Sequence, residues 1–444
     1  MRGLRTALVR LCGSGQFSAM AFQTFDPPQA NAGDVSARVA ALRDTFAALQ
    51  IDGVLVPHED AYQSEYLPPS EERLAFITGF TGSAGRAIIL GETALFATDG
   101  RYSLQAASQV PGDLFAIVSD EEDAKAWMKA HLGKGVRLGI DPQLHSRAAI
   151  KRLKASAPGV EWVRLASHPV DAVWPDRPAP PKAPIRLHDE TLAGRTAEEK
   201  LALLREAMTE DAAFIAASDS VSWLLNWRGD DVDHTPLVLC RAFVPKSGKI
   251  TVFVDDEKRT NAVVNALEPL GETTAASLYL ERLADLSSGL SVQADPQLTS
   301  DAALTAIEAG GTLVEKADPS LRLKAIKTDA EIAGTRAAHL RDGRAVTRFL
   351  AWFEDHAVGA SEIDLVRQLE AFRREEGAVD VSFPTIAGAG PNGAIVHYRV
   401  DEASNRTVAA NDPVLIDSGA QYVDGTTDIT RTLVAGDPSE DFRI

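Results

Sequence analysis

Residues 174–184 read WPDRPAPPKAP, five prolines in eleven positions. Proline locks φ near about −65° and carries no N–H, so this stretch excludes helix and pairs poorly in a sheet. It is a stiff, extended connector, and the chain on either side of it must fold as separate bodies. A length of 444 residues agrees, since domains of roughly 150 residues would give about three.

The order of elements before the connector recurs after it. First come an amphipathic helix at 39–49, an apolar strand at 53–57 and strands at 87–90 and 94–98. Ser119 and Glu122 are spaced as a capping box ahead of a helix carrying Trp127 and Met128. Beyond the connector stand a helix near 200–208, a strand at 212–217, a helix or turn at 223–227, and strands near 237–244 and 250–254. Each half places a glycine-containing loop after its first strand unit, Gly79 to Gly85 in one and Gly229 in the other. The pattern predicts two related α/β domains in tandem.

A third domain opens near Leu323. Thr328 and Glu331 form another capping box, and Ile332, Leu340, Val346, Phe349, Leu350 and Phe353 recur at about helical spacing. A second helix starts at Ser361, places Leu365, Leu369 and Phe372 on one face and stops at Gly377. These stripes belong to a core. The fold class is mixed α/β (α+β), divided into an N-terminal extension (1–32), two α/β domains (33–173 and 174–322) and a third domain (323–444).

Near the end, residues 416–432 read IDSGAQYVDGTTDITRT. Val414, Leu415 and Ile416 form an apolar run, Gly419 and the Asp424-Gly425 pair supply turn chemistry, and Ile429 restarts a β-prone segment. If Asp417 faces Asp428 across this hairpin, its apex falls between Tyr422 and Val423 and the loop is bulged. Two ionised carboxylates about 5 Å apart repel unless a cation or a proton lies between them. Carboxylate oxygens suit a hard divalent ion. The alternative is that the aspartates cap turns, as Asp does beside Gly; this suits Asp424 better than Asp417.

These residues resemble the first metal-ligand segment of the Xaa-Pro aminopeptidases (aminopeptidase P), in the creatinase or pita-bread group. FPTIAGAGPNGAIVHY (383–398) is similar to the family segment that ends in an active-site histidine, here His397. FITGFTGSAGRAIIL (76–90), ATDGRYSLQAA (97–107) and WLLNWRGDDVDHTP (223–236) agree as well. The resemblance runs through nearly the whole chain and points to the long, three-domain cytosolic form. It implies two creatinase-N-terminal-like domains before a pita-bread catalytic domain, with Asp417 and Asp428 as metal ligands. It also implies that His397 donates a hydrogen bond to the substrate carbonyl or its oxyanion. The implied cofactor is a pair of Mn²⁺ ions about 3.5–4 Å apart that activate a water. The implied substrate is a peptide with proline second, and the implied assembly a homodimer. Such a dedicated enzyme makes sense because proline's fixed φ and missing N–H fit poorly in proteases that bind substrate as a strand.

Two family features are missing. The resembling enzymes add a histidine in a Gly-rich segment and two glutamates after the second aspartate; of the nine histidines here, none but His397 lies in a matching context. Asp417 and Asp428 are then the only ligands, too few for two ions. The expectation is a truncated or frameshifted product, inactive alone, with part of its catalytic domain uncovered. The alternative is a non-catalytic pita-bread module that binds peptides or basic proteins through an acidic surface.

The net charge of −18 argues against nucleic acid and anionic membrane as partners. Two cysteines, Cys12 and Cys240, build neither a disulfide framework nor a zinc site, which favours a cytoplasmic compartment. No apolar run reaches the ~20 residues of a membrane helix. Arg2, Arg5 and Arg10 superficially suit a targeting peptide, but Arg10 interrupts the apolar stretch and Met20 reads as an ordinary start.

Other motifs fail on context. Gly388, Gly390 and Gly393 match a dinucleotide fingerprint, but Pro391 interrupts it and a β-like segment, 394–400, follows where a helix is required. Asp417-Ser418-Gly419 lacks the second triplet an aspartic protease needs. Asp230, Asp231, Asp233 and His234 read as a solvated acidic loop, and the sequon at Asn405 has no meaning in a cytosolic protein.

Overall fold

The computed structural model describes residues 22–26 and 32–440. The run GVLVP forms β1 (Gly53–Pro57), buried along its whole length, as a strand covered on both faces is. It lies inside a six-stranded sheet with β2 (Arg86–Leu90), β3 (Ala94–Ala97), β4 (Ala116–Val118), β5 (Arg137–Ile140) and β6 (Glu161–Arg164). The order is β4-β3-β2-β1-β5-β6, with β1 antiparallel to β2 and parallel to β5. Val54, Val56 and Phe96 pack on one face, and Leu55, Ile88 and Leu138 on the other.

Past the connector the architecture repeats. Strands β7 (Ala212–Ile215), β8 (Arg241–Pro245), β9 (Ile250–Phe253), β10 (Gly271–Thr274), β11 (Ser291–Ala294) and β12 (Thr312–Glu315) assemble in the order β10-β9-β8-β7-β11-β12. Strand β7 is antiparallel to β8 and parallel to β11, as β1 is to β2 and β5. Strand for strand, the two sheets share one topology.

The repeats also meet through equivalent segments. Residues 141–149 read DPQLHSRAA and residues 295–303 read DPQLTSDAA. Ser146 and Ser300 each cap the following helix and pair with one another in an antiparallel bridge. Ala148 N donates to Pro296 O at 3.0 Å, and Ala302 N donates to Pro142 O at 2.9 Å. This is a local pseudo-two-fold axis. At the neighbouring pair of equivalent positions, where an exact repeat would set like charge against like, the chain carries Arg147 and Asp301, which pair at 2.7 Å. Beside it the Arg241 guanidinium stacks on Tyr62 and Tyr279 and donates to Ala61 O at 2.7 Å.

The third domain begins with α1 (Asp329–His356) and α2 (Glu362–Glu375), both opened by capping boxes, at Thr328 and Ser361. Gly377, at φ +87°, follows the end of α2. Two three-stranded sheets pack against these helices: β14 (Ile386–Ala389), β15 (Pro413–Ser418) and β18 (Ile429–Val434) in one, and β13 (Asp380–Val381), β16 (Ala420–Tyr422) and β17 (Gly425–Thr426) in the other. Residues 22–26 lie on this domain. Gln23 bridges Glu370 (2.7 Å) and Thr385 N (3.1 Å), and Phe25 is buried among Phe349, Leu369 and Tyr398.

Several sequence expectations shift. The single helix expected at 39–49 is two, Ala32–Asp44 and the one-turn Phe46–Leu49, and the helix after Ser119 is capped by Asp120, whose carboxylate accepts from Glu122 N and Asp123 N. Ile332 and Leu340 are exposed, unlike Val346, Phe349 and Phe353. The inward face of the first half of α1 is instead lined by Gly334 and Ala338, because a Cβ at Gly334 would strike Asp424 O of the β16–β17 turn. The 394–400 segment is not a strand: a 3₁₀ turn (Gly390–Ala394) and irregular backbone carry His397.

The acidic loop is docked rather than solvated. Asp230 pairs with Arg186, and buried Asp231 accepts from Lys258 Nζ at 2.9 Å and Leu239 N at 2.8 Å. His234 Nδ1 lies 3.0 Å from Asp380 Oδ1, while Gln421 donates to His234 O at 2.9 Å, so the loop ties the second domain to the third. Cys240 is a free, buried thiol, pushed up to about 12 chiefly by that burial. Residues 1–21, with the N-terminal arginines, Cys12 and Met20, lie outside the described residues. Among the described residues no helix is long and apolar enough to cross a membrane.

Candidate active site

Strand β15 alternates: Val414, Ile416 and Ser418 are buried, and Asp417 is on the opposite, half-buried side. It is central, pairing with β14 through Ile386↔Asp417 and with β18 through Asp417↔Thr430. The register corrects the expectation that Asp417 and Asp428 lie directly opposite. The hairpin folds around a two-residue turn, Val423 and Asp424, without the expected bulge. Asp417 therefore faces Thr430, whose hydroxyl donates to Asp417 Oδ1 at 2.7 Å. Asp428 stands two residues before Thr430, hence diagonal to Asp417, still on its face by the period of two. Partial burial and then the charge of Asp417 raise the Asp428 carboxyl above the usual carboxylate range, with Arg373 acting in the opposite sense.

The ladder breaks where the two sheets diverge. Thr427 turns inward: its N–H donates to Ala420 O at 2.9 Å, and its hydroxyl accepts from Ala420 N at 3.0 Å. Ser382 Oγ donates to Thr427 O at 2.9 Å. A Cβ on Gly419 would collide with both Ser382 Oγ and Thr427 O. We expect Gly419→Ala to destabilise the hairpin by about 1–3 kcal/mol, as overpacking against a fixed backbone does; denaturant unfolding measures it, and an unchanged midpoint refutes it.

Beneath the hairpin is a fully buried guanidinium. Arg373 donates to Asp342 Oδ1 at 2.8 Å, Asp342 Oδ2 at 3.2 Å and Gly419 O at 3.2 Å, and the Tyr422 hydroxyl donates to Asp342 at 3.3 Å. Arg373 and Asp342 went unnoticed in the sequence, where they resemble ordinary surface charges on amphipathic helices.

His397 is set by a second buried charge. Glu362, wholly buried at the start of α2, accepts from Ala389 N (2.7 Å), Tyr398 Oη (2.8 Å), Asn392 Nδ2 (3.0 Å) and Arg406 N (3.0 Å). The carboxylate thus gathers the irregular segment around His397. From the first domain, Tyr102 Oη approaches His397 Nδ1 to 2.7 Å, with the rings edge to face at 5.1 Å. Tyr66 of the same domain feels Asp428: burial raises its hydroxyl, and the charges of Glu65 and, more weakly, Asp428 add to this. The first domain therefore walls a space that includes Asp428 and His397. Tyr102 and Tyr66 were missed as site residues, although Tyr102 stands in the block ATDGRYSLQAA.

Asp417 and Asp428 offer hard oxygen donors on one face, and burial and the charge of Asp417 raise Asp428, which fits the pair to share a divalent cation. Among the described residues no group of three or more His, Cys, Asp and Glu side chains converges in a way that could hold a metal. The pair fits part of a ligand set and no more.

Comparison with known proteins places this arrangement. Residues 38–173 and 176–331 each match the Creatinase/Prolidase N-terminal domain, and residues 333–444 match Metallopeptidase family M24. Probable Xaa-Pro aminopeptidases P of two Coccidioides posadasii strains are each 37% identical over 432 residues. Both alignments cover 92% of this chain, and 66% of the relative in strain C735 against 70% in strain RMSCC 757 / Silveira. One from Neosartorya fischeri is 36% identical over 430 residues, 91% of this chain and 65% of that protein. The chain thus spans about two thirds of the length of these relatives. The crystal structure of X-prolyl aminopeptidase from Caenorhabditis elegans, described as a cytosolic enzyme with a di-nuclear active site, superposes with a TM-score of 0.85 at 31% identity. It is matched over 92% of this chain and 71% of its own. With two creatinase-type N-terminal domains ahead of an M24 domain, the chain belongs to the aminopeptidase P family of metallopeptidases.

Proposed function

We propose that this chain carries the substrate-facing part of a metal-dependent Xaa-Pro aminopeptidase, in which Asp417 and Asp428 hold metal and His397 contacts the reacting carbonyl. The observation that carries the reading is the diagonal placement of the two carboxylates on one face of the β15–β18 ladder, where burial and then the charge of Asp417 raise Asp428. The cation is Mn²⁺, two per complete site. When bound, such a pair supplies an activated water and positive charge opposite the developing oxyanion.

The residues present prepare that chemistry. Thr430 holds one oxygen of Asp417 and leaves the other for a cation. His397 adds a fixed donor where negative charge develops on the substrate oxygen. Tyr66 and Tyr102 make the first domain a wall of the site, which suits a peptide that ends close to the scissile bond. The enzyme works in the cytosol as a homodimer on peptides with proline second.

Two carboxylates alone leave both ions short of ligands, so the 444-residue chain is expected to bind Mn²⁺ weakly and turn over slowly. Calorimetric titration with Mn²⁺ tests this, alongside Asp417→Asn and Asp428→Asn variants and an assay for release of the first residue from an Xaa-Pro peptide. Weak binding that each substitution abolishes supports the assignment. Binding indifferent to both substitutions sinks the metal role, and tight stoichiometric binding overturns the incomplete site.

A further inference from the structure

We propose that Tyr102, from the first domain, is a positioning residue that holds His397 in the neutral tautomer with its proton on Nε2. Tyr102 Oη lies between two partners, His397 Nδ1 at 2.7 Å and Ser83 Oγ at 2.8 Å. It has one proton, and the question is which way that proton points. A phenol is a stronger acid than a neutral imidazole N–H, and an imidazole nitrogen is a stronger base than a phenol oxygen. The matched orientation is therefore O–H donating to Nδ1.

Ser83 follows from this orientation rather than supporting it independently: its 2.8 Å contact with Tyr102 Oη has no fixed donor, and in its 3.3 Å contact with Glu65 Oε1 only Ser83 can donate. With the phenol proton on Nδ1, the Ser83 proton lies between Tyr102 Oη and Glu65 Oε1. The ring proton is then confined to Nε2. Among the described residues His397 makes no other side-chain hydrogen bond, which leaves Nε2–H for a ligand.

The surroundings are built to hold the phenol there. Tyr102 is 3% exposed and packs edge to face on Phe80 at 5.5 Å. A Cβ on Gly82 would lie 2.7 Å from two carbons of the Tyr102 ring and closer still to Phe80. Gly82 of the GFTGSAG loop thus makes room for Tyr102, and the next residue, Ser83, reaches its hydroxyl, which ties this loop of the first domain to a site in the third.

The importance of an Nε2 donor for peptide cleavage rests on the function proposed above; the tautomer does not, and the two can fail separately. The test is two-bond ¹H–¹⁵N correlation spectroscopy of the full chain labelled in histidine, at a pH where His397 is neutral, with His397→Gln to assign its signals. We expect the Nε2–H pattern, with an Nδ1 resonance typical of an acceptor engaged by a donor. In Tyr102→Phe, which keeps the ring packing, Nδ1 should move to the position of an unbonded nitrogen. Ser83→Ala, which leaves both rings in place, should produce a smaller displacement in the same direction and stands in if the Phe variant does not fold. An Nδ1–H pattern in the native chain overturns the proposal, as does an Nδ1 resonance that neither substitution moves.

Discussion

Arg373→Met is expected to cost about 3–5 kcal/mol of stability in the third domain, the range for removing one partner of a buried ion pair. Asp342 would keep a charge with 4% side-chain exposure, and among the described residues only the 3.3 Å side-chain contact from Tyr422 would remain. The Gly419 carbonyl would also lose its donor at the point where the hairpin changes sheet. Hydrogen exchange followed by mass spectrometry should show protection lost in β15, β16 and β18 and little changed in the first two domains. The double variant Arg373→Met with Asp342→Leu distinguishes the causes. Replacing both charges by apolar groups of similar volume is often near neutral, so it should recover much of the loss if the stranded carboxylate is responsible. A single variant as stable as the native chain would remove the ion pair from any account of the hairpin.

Acid should weaken the first domain as the pH falls below the ordinary histidine range. His168 and His145 are buried, and burial depresses them to about 4 and about 3 from the ordinary 6.5; in His145 the charge of His168 adds to the effect. Val170 N donates to His168 Nδ1 at 3.2 Å, so Nε2 carries the proton toward Leu55 O at 3.1 Å. A second proton on that ring has nowhere to go without breaking the first contact. Between the unfolded and folded pKa values the unfolded chain binds more protons, and stability falls as pH falls. The contribution is complete above pH ~6.5 and declines at up to about 1.4 kcal/mol per pH unit for each ring. For His168 this amounts to roughly 3 kcal/mol by pH ~4. Buried acids work against it: Asp60 and Asp141 are raised chiefly by burial, so the folded state takes up their protons first. The expected result is an unfolding midpoint that drops between pH 6.5 and 4, with a shallower slope in His168→Gln. A slope unaltered by that substitution would count against the assignment.

Much of this was readable in the primary structure, for identifiable reasons. The capping box at Thr328, the helix start at Ser361, the stop at Gly377 and the apolar run of β1 are local signals and formed as read, whereas the box read at Ser119 gave way to a cap by the next residue, Asp120. The duplication was legible from element order, yet the clearest trace of it, DPQL repeated at 141 and 295, went unread. The hairpin was recognised but placed two positions out of register, because turn length rather than residue type decides pairing. Thr430, not Asp428, consequently sits opposite Asp417. Arg373, Asp342 and Glu362 could not be assigned from sequence: Arg373 and Asp342 meet across 31 residues, Arg373 reaches Gly419 across 46 and Glu362 meets Tyr398 across 36, and nothing in their immediate neighbours marks them. Tyr102 stands in a recognisable block, but its partner His397 lies 295 residues away.

The paired DPQL segments carry a lesson about assembly. Ordinarily a surface complementary to itself recruits a sister molecule, and its occupancy then depends on how much protein is present. Here both members travel on one polypeptide, so tethering supplies an effective concentration in the millimolar range or above, whatever the dilution. The opposed charges at positions 147 and 301 go further, since neither half would now accept an identical copy of itself at that spot. The contact is thus an internal brace between the two repeats, occupied within each molecule.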